Sequence, residues 1–194
     1  MTGDDILALF RTCSALLDGH FRLSSGLHSS GYLQCALVLQ HPGHAAVLGA
    51  AIASRVEGLG PSVVLSPALG GVIIGHEVAR ALGVRALFAE RENAVLTLRR
   101  GFRLSASDRV VIVEDVITTG GSTKETMAVA REAGAEVIAA TAIIDRSGGR
   151  AALDVPLHAL VDLALPTYAP DACPLCGRNV PLTKPGSRPA PGVT

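Results

Sequence analysis

Residues 110–125 read VVIVEDVITTGGSTKE, an apolar run that leads into two adjacent carboxylates and then into a loop of hydroxyl-bearing residues and glycines. The apolar part predicts a buried strand that ends near Glu114 and Asp115. In open α/β sheets, ligands bind beyond the carboxyl ends of the strands. Helical sequence resumes after the loop, and Ser122 and Glu125 have the S-x-x-E spacing of a capping box. We therefore expect this junction to hold a ligand.

The loop at residues 118–122 has the composition of an anion site. Backbone N–H groups at a helix N-terminus favour an anion, and Gly120 and Gly121 allow it to approach the backbone. The upstream carboxylates would repel a bare phosphate, so the ligand should also carry hydroxyl donors or a divalent cation. A sugar phosphate meets both demands. The alternative is a tight strand-to-helix turn with a solvated acidic pair; a Walker loop and a dinucleotide fingerprint are both missing.

Strands and helices alternate along most of the chain. The spacing of apolar residues predicts helices at 4–19, from Pro42 to about 60, at 70–83 and at 122–133. Short strands are predicted within 20–39, at 62–68, at 84–90, from Arg109 and at 135–144. This alternation predicts an α/β fold with a mostly parallel central sheet flanked by helices.

Two regions do not follow this alternation of strands and helices. Residues 91–103, RENAVLTLRRGFR, form an Arg-rich insertion that suits a hairpin or a mobile flap. Residues 181–194 are rich in Pro and Gly and are predicted to be a poorly ordered tail. The remaining residues, 1–180, are expected to form a single domain, with residues 1–40 as an amino-terminal segment.

Composition restricts the partners. Seventeen basic and seventeen acidic residues cancel, so we expect neither a nucleic-acid-binding nor a membrane-binding surface. The chain has no uninterrupted apolar stretch of the roughly 20 residues that a membrane helix needs. Its first residues lack the features of a signal peptide. A cytoplasmic location is the expectation.

The cysteines and histidines suggest little catalytic chemistry. All four cysteines are expected to be thiols, and Cys173-Pro-Leu-Cys176 is half of a zinc knuckle without a second C-x-x-C. His158 is a distant candidate for a further zinc ligand, and a local structural turn is the alternative interpretation of the Cys pair. The other histidines are expected to be structural or to lie at the surface: His20, His28, His41, His44 and His76.

Several motifs together indicate a family. EDVITTGGS resembles the phosphoribosyl pyrophosphate (PRPP) signature of type I phosphoribosyltransferases. Four further stretches, FRLSSGLHSSGYLQ, SPALGGVIIG, FAERENAVLTLRRGF and IIDRSGG, resemble orotate phosphoribosyltransferases, over roughly residues 15–150. The resemblance implies transfer of the 5-phosphoribosyl group from PRPP to orotate, which gives orotidine 5′-phosphate and pyrophosphate in UMP biosynthesis. It also implies an amino-terminal hood, a mobile flap, Mg²⁺ bound through PRPP, and a homodimer with shared active sites.

The resemblance assigns roles to individual residues. Glu114 and Asp115 would contact the ribose hydroxyls and count as catalytic. The other residues of the PRPP signature would bind PRPP with them: Val116, Ile117, Thr118, Thr119, Gly120, Gly121 and Ser122. The pyrophosphate loop would comprise Pro67, Ala68, Leu69, Gly70 and Gly71. Orotate would contact Thr118, Arg146, Ser24, Ser25, Gly26 and Tyr32. Arg146 could instead form a salt bridge, and Tyr32 could be a core residue.

The chain departs from the family pattern in its lysines. The position of the usual flap lysine is occupied by Val95, and Lys124 and Lys184 are the only lysines. Arg91 and Arg99 are therefore predicted to bind pyrophosphate, with Arg99 as a catalytic residue. Two alternative functions stay open at this point: a phosphoribosyltransferase for another nucleobase, and a regulator that senses PRPP without catalysis.

Overall fold

A computed structural model describes residues 1–23 and 25–185 of the chain. The helices are α1 (Gly3–Thr12), α2 (Ala36–Leu39), α3 (Pro42–Val56), α4 (Gly70–Leu82), α5 (Gly121–Glu132) and α6 (Pro174–Gly177). The strands are β1 (Leu16–Arg22), β2 (His28–Leu33), β3 (Val63–Pro67), β4 (Arg85–Glu92), β5 (Val95–Leu98), β6 (Arg109–Ile117), β7 (Glu136–Asp145), β8 (Leu157–Asp162) and β9 (Thr167–Tyr168).

The main sheet has six strands in the order β5-β4-β3-β6-β7-β8. Every neighbouring pair is parallel except β4 and β5, which form an antiparallel hairpin. Its turn uses Asn93 and Ala94, both with positive φ, as tight hairpin turns require. The predicted α/β fold with a mostly parallel sheet is confirmed, and the hairpin occupies the segment predicted as a flap.

The two faces of β6 contact different helices because side chains alternate along a strand. Val110 and Ile112 are buried in a core that includes Met127 and Ala130 of α5. On the other face, the glycines of α4 pack closely against the sheet: a Cβ on Gly71 would lie 2.7 Å from the carbonyl oxygen of Val113. Helices α4 and α5 thus cover opposite faces of the strand that carries the acidic pair.

The predicted helix at 4–19 is wrong in its second half. Helix α1 ends at Thr12, and Ser14 adopts a positive φ of 53°. The chain then enters β1, where Leu16 pairs with Leu33 of β2. The apolar spacing of this segment suits a helix, but pairing with β2 satisfies its backbone and determines the strand, as tertiary context often does.

The pattern of contacts divides the chain into two compact units. The first comprises Leu39–Ala164 together with Met1, and the second comprises Thr2–Val38 with Leu165–Thr194. The second unit contains α1, α6 and an antiparallel sheet in the order β1-β2-β9. The single domain at 1–180 stays a prediction, and residues 186–194 of the predicted tail lie outside the described part.

Among residues 1–23 and 25–185, no helix is both long and apolar enough to cross a membrane.

Candidate active site

The acidic pair lies within β6, which continues for two residues beyond Asp115 to Ile117. Neighbouring side chains on a strand point to opposite faces, and the contacts agree with this. Glu114 contacts Ser122 of α5, whereas Asp115 adjoins Gly70 of α4. The two carboxylates therefore connect the two loops that the sequence predicts as anion sites.

Glu114 is almost fully buried, with 4% of its surface exposed. The hydroxyl of Ser122 donates a hydrogen bond of 2.5 Å to its Oε1. The pKa of Glu114 is raised to about 7, mainly by burial and also by the nearby charge of Asp115, against the opposing effect of the hydrogen bond from Ser122. Near neutral pH this carboxyl group therefore exists in both protonation states.

Asp115 is half-buried, and its Oδ1 accepts a hydrogen bond of 2.9 Å from the backbone N–H of Val116. Burial raises the pKa of Asp115 as well. A Cβ added to Gly70 would lie 2.7 Å from Oδ1, which is closer than such atoms approach in proteins. Only glycine at position 70 leaves room for the carboxylate in this position.

The predicted pyrophosphate loop connects β3 to α4. The N–H of Ala68 donates a hydrogen bond of 2.7 Å to Ala89 on β4, which fixes the start of the loop against the sheet. Leu69 follows a cis peptide bond and has 87% of its surface exposed. This loop and Asp115 are brought together at the same edge of the sheet.

The predicted phosphate loop leads into α5, but without the predicted capping box. The helix begins at Gly121, and its N-cap is Gly120, with φ 77°. Because glycine has no side chain, no side-chain hydrogen bond caps the first turn of the helix. Ser122 bonds to Glu114 instead, and Glu125 forms an ion pair with Arg91. The capping-box prediction is wrong because both side chains have tertiary partners.

The side chains of the PRPP signature differ in how far they are exposed to solvent, and therefore in whether they can reach a ligand. Thr118 and Thr119 are exposed, so their hydroxyls can reach a ligand. Ile117 is buried and packs with Ala142 and Ala151, so any contact from this position would come from its backbone. Val116 is half-buried.

Arg146 is placed beside the PRPP signature. It follows β7 directly, and its backbone N–H donates a hydrogen bond of 2.8 Å to the carbonyl of Ile117. Since Ile117 pairs with Asp145 in the parallel register, Thr118 and Arg146 leave their strands side by side. The structure thus brings together these two predicted orotate residues.

The flap arginines pair with acidic side chains. Arg91 lies 2.8 Å from a carboxylate oxygen of Glu125 on α5. Arg99 lies 3.4 Å from Glu92 and 3.9 Å from Glu90. All of these side chains except Glu90 are about half exposed, so the pairs are weak. A contact with pyrophosphate would require them to open.

The other predicted orotate residues belong to the second unit. Ser25 is exposed, and Gly26 has a φ of 85° in the turn between β1 and β2. Tyr32 is half-buried and packs against Phe21, with ring centroids 5.8 Å apart. Ser24 lies outside the described residues.

The structure also groups residues that sequence reasoning left apart. Cys173 and Cys176 approach His20 and His28, with all four potential ligand atoms within 4.8 Å of one another. His158, the candidate named from the sequence, lies on β8 and does not belong to this group. No local spacing could have identified the two histidines, because about 150 residues separate them from the cysteines.

Comparison with known proteins places these features in a family. A family described as "Phosphoribosyl transferase domain" matches residues 36–157. A protein of Pelotomaculum thermopropionicum named orotate phosphoribosyltransferase is 54% identical over 188 residues, which cover 97% of this chain and 99% of that protein. A protein of the same name from Desulforamulus reducens is 48% identical and covers 97% and 98% of the two chains.

Solved structures show the same fold. The crystal structure of orotate phosphoribosyltransferase from Aeropyrum pernix matches with a TM-score of 0.69 and 26% identity, over 81% of this chain and 93% of that one. The enzyme of the same name from Mycobacterium tuberculosis, in complex with PRPP, matches with a TM-score of 0.67 and 23% identity, over 82% and 94% of the chains.

Proposed function

Because this chain belongs to the orotate phosphoribosyltransferase family, we propose that it transfers the 5-phosphoribosyl group of PRPP to orotate. The bond between the ribosyl carbon C1 and the pyrophosphate oxygen breaks, and a bond from C1 to a ring nitrogen of orotate forms. The nitrogen loses its proton, and pyrophosphate leaves. The product is orotidine 5′-phosphate, an intermediate of pyrimidine biosynthesis.

One observation carries this proposal: Glu114 and Asp115 connect the two predicted anion loops. Glu114 contacts the first turn of α5, and Asp115 adjoins Gly70 of the loop before α4. A ligand with a phosphate at one end, pyrophosphate at the other and hydroxyls between them matches this order of groups. PRPP has that order.

The proposed roles follow from charge and position. The backbone at the start of α5 and the hydroxyls of Thr118 and Thr119 would bind the 5-phosphate. Glu114 and Asp115 would accept hydrogen bonds from the ribose hydroxyls. Positive charge develops on the ribosyl carbon as the leaving group departs, so nearby carboxylates would stabilise the transition state. Rate enhancement would come from positioning and electrostatics.

Orotate carries a carboxylate, which suits the guanidinium of Arg146 because arginine can bind a carboxylate through two parallel hydrogen bonds. Arg146 and Thr118 lie side by side at the carboxyl edge of the sheet. We propose that this pair orients orotate. Ser25, Gly26 and Tyr32 stay predicted contacts.

The residues present fit Mg²⁺ bound through PRPP. Asp115 offers carboxylate oxygens, which magnesium prefers together with the oxygens of substrate phosphates. Bound there, Mg²⁺ would neutralise the charge of the departing pyrophosphate. Arg91 and Arg99 would add positive charge from the flap, in place of the lysine whose position Val95 occupies. We further propose a cytoplasmic homodimer with shared sites.

The test is a direct assay. Purified protein with PRPP and Mg²⁺ should deplete orotate, measured by the loss of its ultraviolet absorbance, with release of one pyrophosphate per orotate consumed. Hypoxanthine and adenine should not be consumed. Turnover of a purine base instead of orotate would contradict the proposed acceptor. Tight PRPP binding without turnover of any base would favour a PRPP-sensing regulator.

A further inference from the structure

The second unit contains a group of four potential metal ligands that the proposed reaction does not use. His20 lies on β1 and His28 on β2, whereas Cys173 is the N-cap of the short helix α6 and Cys176 lies within that helix. Their ligand atoms all lie within 4.8 Å of one another. We propose that these four residues, the His–Cys cluster, bind one Zn²⁺ ion that has a structural role.

The spacing of the ligand atoms matches tetrahedral zinc. With Zn–S bonds of about 2.3 Å and Zn–N bonds of about 2.0 Å, a tetrahedron separates its ligand atoms by roughly 3.3 to 3.8 Å. Nε2 of His20 lies 3.0 Å from Nδ1 of His28, 3.5 Å from Sγ of Cys173 and 3.8 Å from Sγ of Cys176. Sγ of Cys176 lies 3.3 Å from Nδ1 of His28. Small shifts would complete the tetrahedron.

A hydrogen bond outside the cluster orients His20 for metal binding. Its Nδ1 lies 2.8 Å from the carbonyl oxygen of Val180. A carbonyl can only accept, so Nδ1 carries the proton and Nε2 presents its lone pair toward His28 and the cysteines. Zinc-bound histidines commonly have such a second hydrogen bond, which fixes the tautomer and the ring orientation.

Burial and ligand chemistry favour zinc. His20, His28 and Cys173 are each exposed by 5% or less, and Cys176 is the exposed member. Two thiolates with two imidazoles in a closed tetrahedral arrangement form a common structural zinc site. A hydrogen-bonded group of neutral thiols and imidazoles is the alternative, and it would hold no metal.

The second unit has a physical need for such a crosslink. It is assembled from the two ends of the chain, Thr2–Val38 and Leu165–Thr194. Units this small seldom have a core large enough for stability and often use a metal or disulfides. The four cysteines, all of which are described, form no disulfide. A zinc ion would join β1 and β2 to the carboxyl-terminal segment. In the described part of that segment, the strand pairing is short: β9 pairs two residues with β2, and Thr183 forms an isolated bridge with Phe21 of β1.

The cluster also lies next to a loop of functional interest. His20 and His28 flank the turn between β1 and β2, in which the N–H of Leu23 donates a hydrogen bond of 2.8 Å to Leu27. Ser25 and Gly26 of this turn are predicted to contact orotate. If the proposed function holds, zinc loss should raise KM for orotate more than KM for PRPP. The metal site itself does not depend on that function.

Metal analysis tests the proposal directly. Untagged protein, purified without chelator and dialysed, should contain about one zinc per chain by inductively coupled plasma mass spectrometry. Cys176→Ser should lose most of the zinc, whereas Cys35→Ala, which removes a thiol outside the cluster, should retain it. Less than about a tenth of an equivalent in the wild-type protein, or full retention by Cys176→Ser, would overturn the proposal.

A spectroscopic test uses wild-type protein, so its result does not depend on whether a cluster variant folds. Wild-type protein loaded with Co²⁺ in place of zinc should show thiolate-to-cobalt charge transfer and the intense visible bands of tetrahedral cobalt. Addition of one equivalent of Zn²⁺ should abolish both. Weak octahedral bands alone would contradict a site formed by two thiolates. These readouts do not involve orotate or PRPP, so their failure is distinct from failure of the proposed function.

Discussion

Glu114 has a carboxylate in a position that water barely reaches, so its ionisation has a cost in stability. The pKa of Glu114 is about 7 in the folded protein, against an ordinary value of 4.5. At a pH between these two values, the folded protein holds a proton that the unfolded chain releases. Stability therefore falls as pH rises through this window, and above it the penalty is fully present. A shift of this size corresponds to about 3 kcal/mol.

Glu114→Gln should consequently be more stable than the wild type at about pH 8.5, by up to about 3 kcal/mol, and equally stable near pH 4.5. Denaturant titrations at both pH values measure this. The same variant should lose roughly 10- to 100-fold in kcat/KM for PRPP, because it lacks the charged group proposed to accept hydrogen bonds from the ribose hydroxyls. An equal change in stability at both pH values would contradict the assigned pKa.

Gly70 leaves the space that the carboxylate of Asp115 occupies. An added Cβ would lie 2.7 Å from Oδ1 of Asp115, and the carboxylate, as the more flexible partner, would move. Gly70→Ala should therefore reduce kcat/KM by roughly 10- to 100-fold, as misplaced reacting groups do, with little change in Tm. Gly43→Ala, whose Cβ would meet nothing within 4 Å, is the matched control and should remain fully active.

At the scale of elements, the loop before α5 depends on one backbone conformation. Gly120 has φ 77°, and a Cβ there would lie 3.1 Å from Ala151. Gly120→Ala should cost about 1 to 2 kcal/mol of stability and raise KM for PRPP, because the loop would shift. Gly83 has a similar φ of 71° with nothing within 4 Å. Gly83→Ala should show a similar stability loss with unchanged KM; equal KM effects would contradict a phosphate-binding role.

The flap arginines offer a second test at this scale. Arg99 is about half exposed and paired with acidic side chains, so Arg99→Ala should change stability by less than about 1 kcal/mol. Its kcat should fall at least about tenfold if the guanidinium stabilises the leaving pyrophosphate. Arg80 on α4, 55% exposed and paired with Glu77, is the control. An Arg99→Ala enzyme as active as Arg80→Ala would exclude the catalytic role of Arg99.

The whole molecule shows which features the sequence could predict. Alternating strands and helices predicted the main sheet, because buried parallel strands are apolar along their length. That topology placed the acidic pair and the loop before α5 at one edge of the sheet, whereas the pyrophosphate loop and Arg146 were identified from the family resemblance. The approach of His20 to Cys173, across 153 residues, and the partners of Ser122 and Glu125 could not be predicted, because each depends on contacts between elements that are far apart in sequence.

If the active sites of the predicted homodimer are shared between subunits, two defective variants should complement each other in a mixed dimer. If the flap of one subunit completes the site of its partner, a mixed dimer of Gly70→Ala and Arg99→Ala chains has one site with both defects and one site with neither. Random reassembly makes half of the dimers mixed, so unfolding and refolding the two inactive variants together should restore about a quarter of wild-type activity. Gly70→Ala refolded with itself is the control. If each flap serves its own subunit, the mixture stays as inactive as its components.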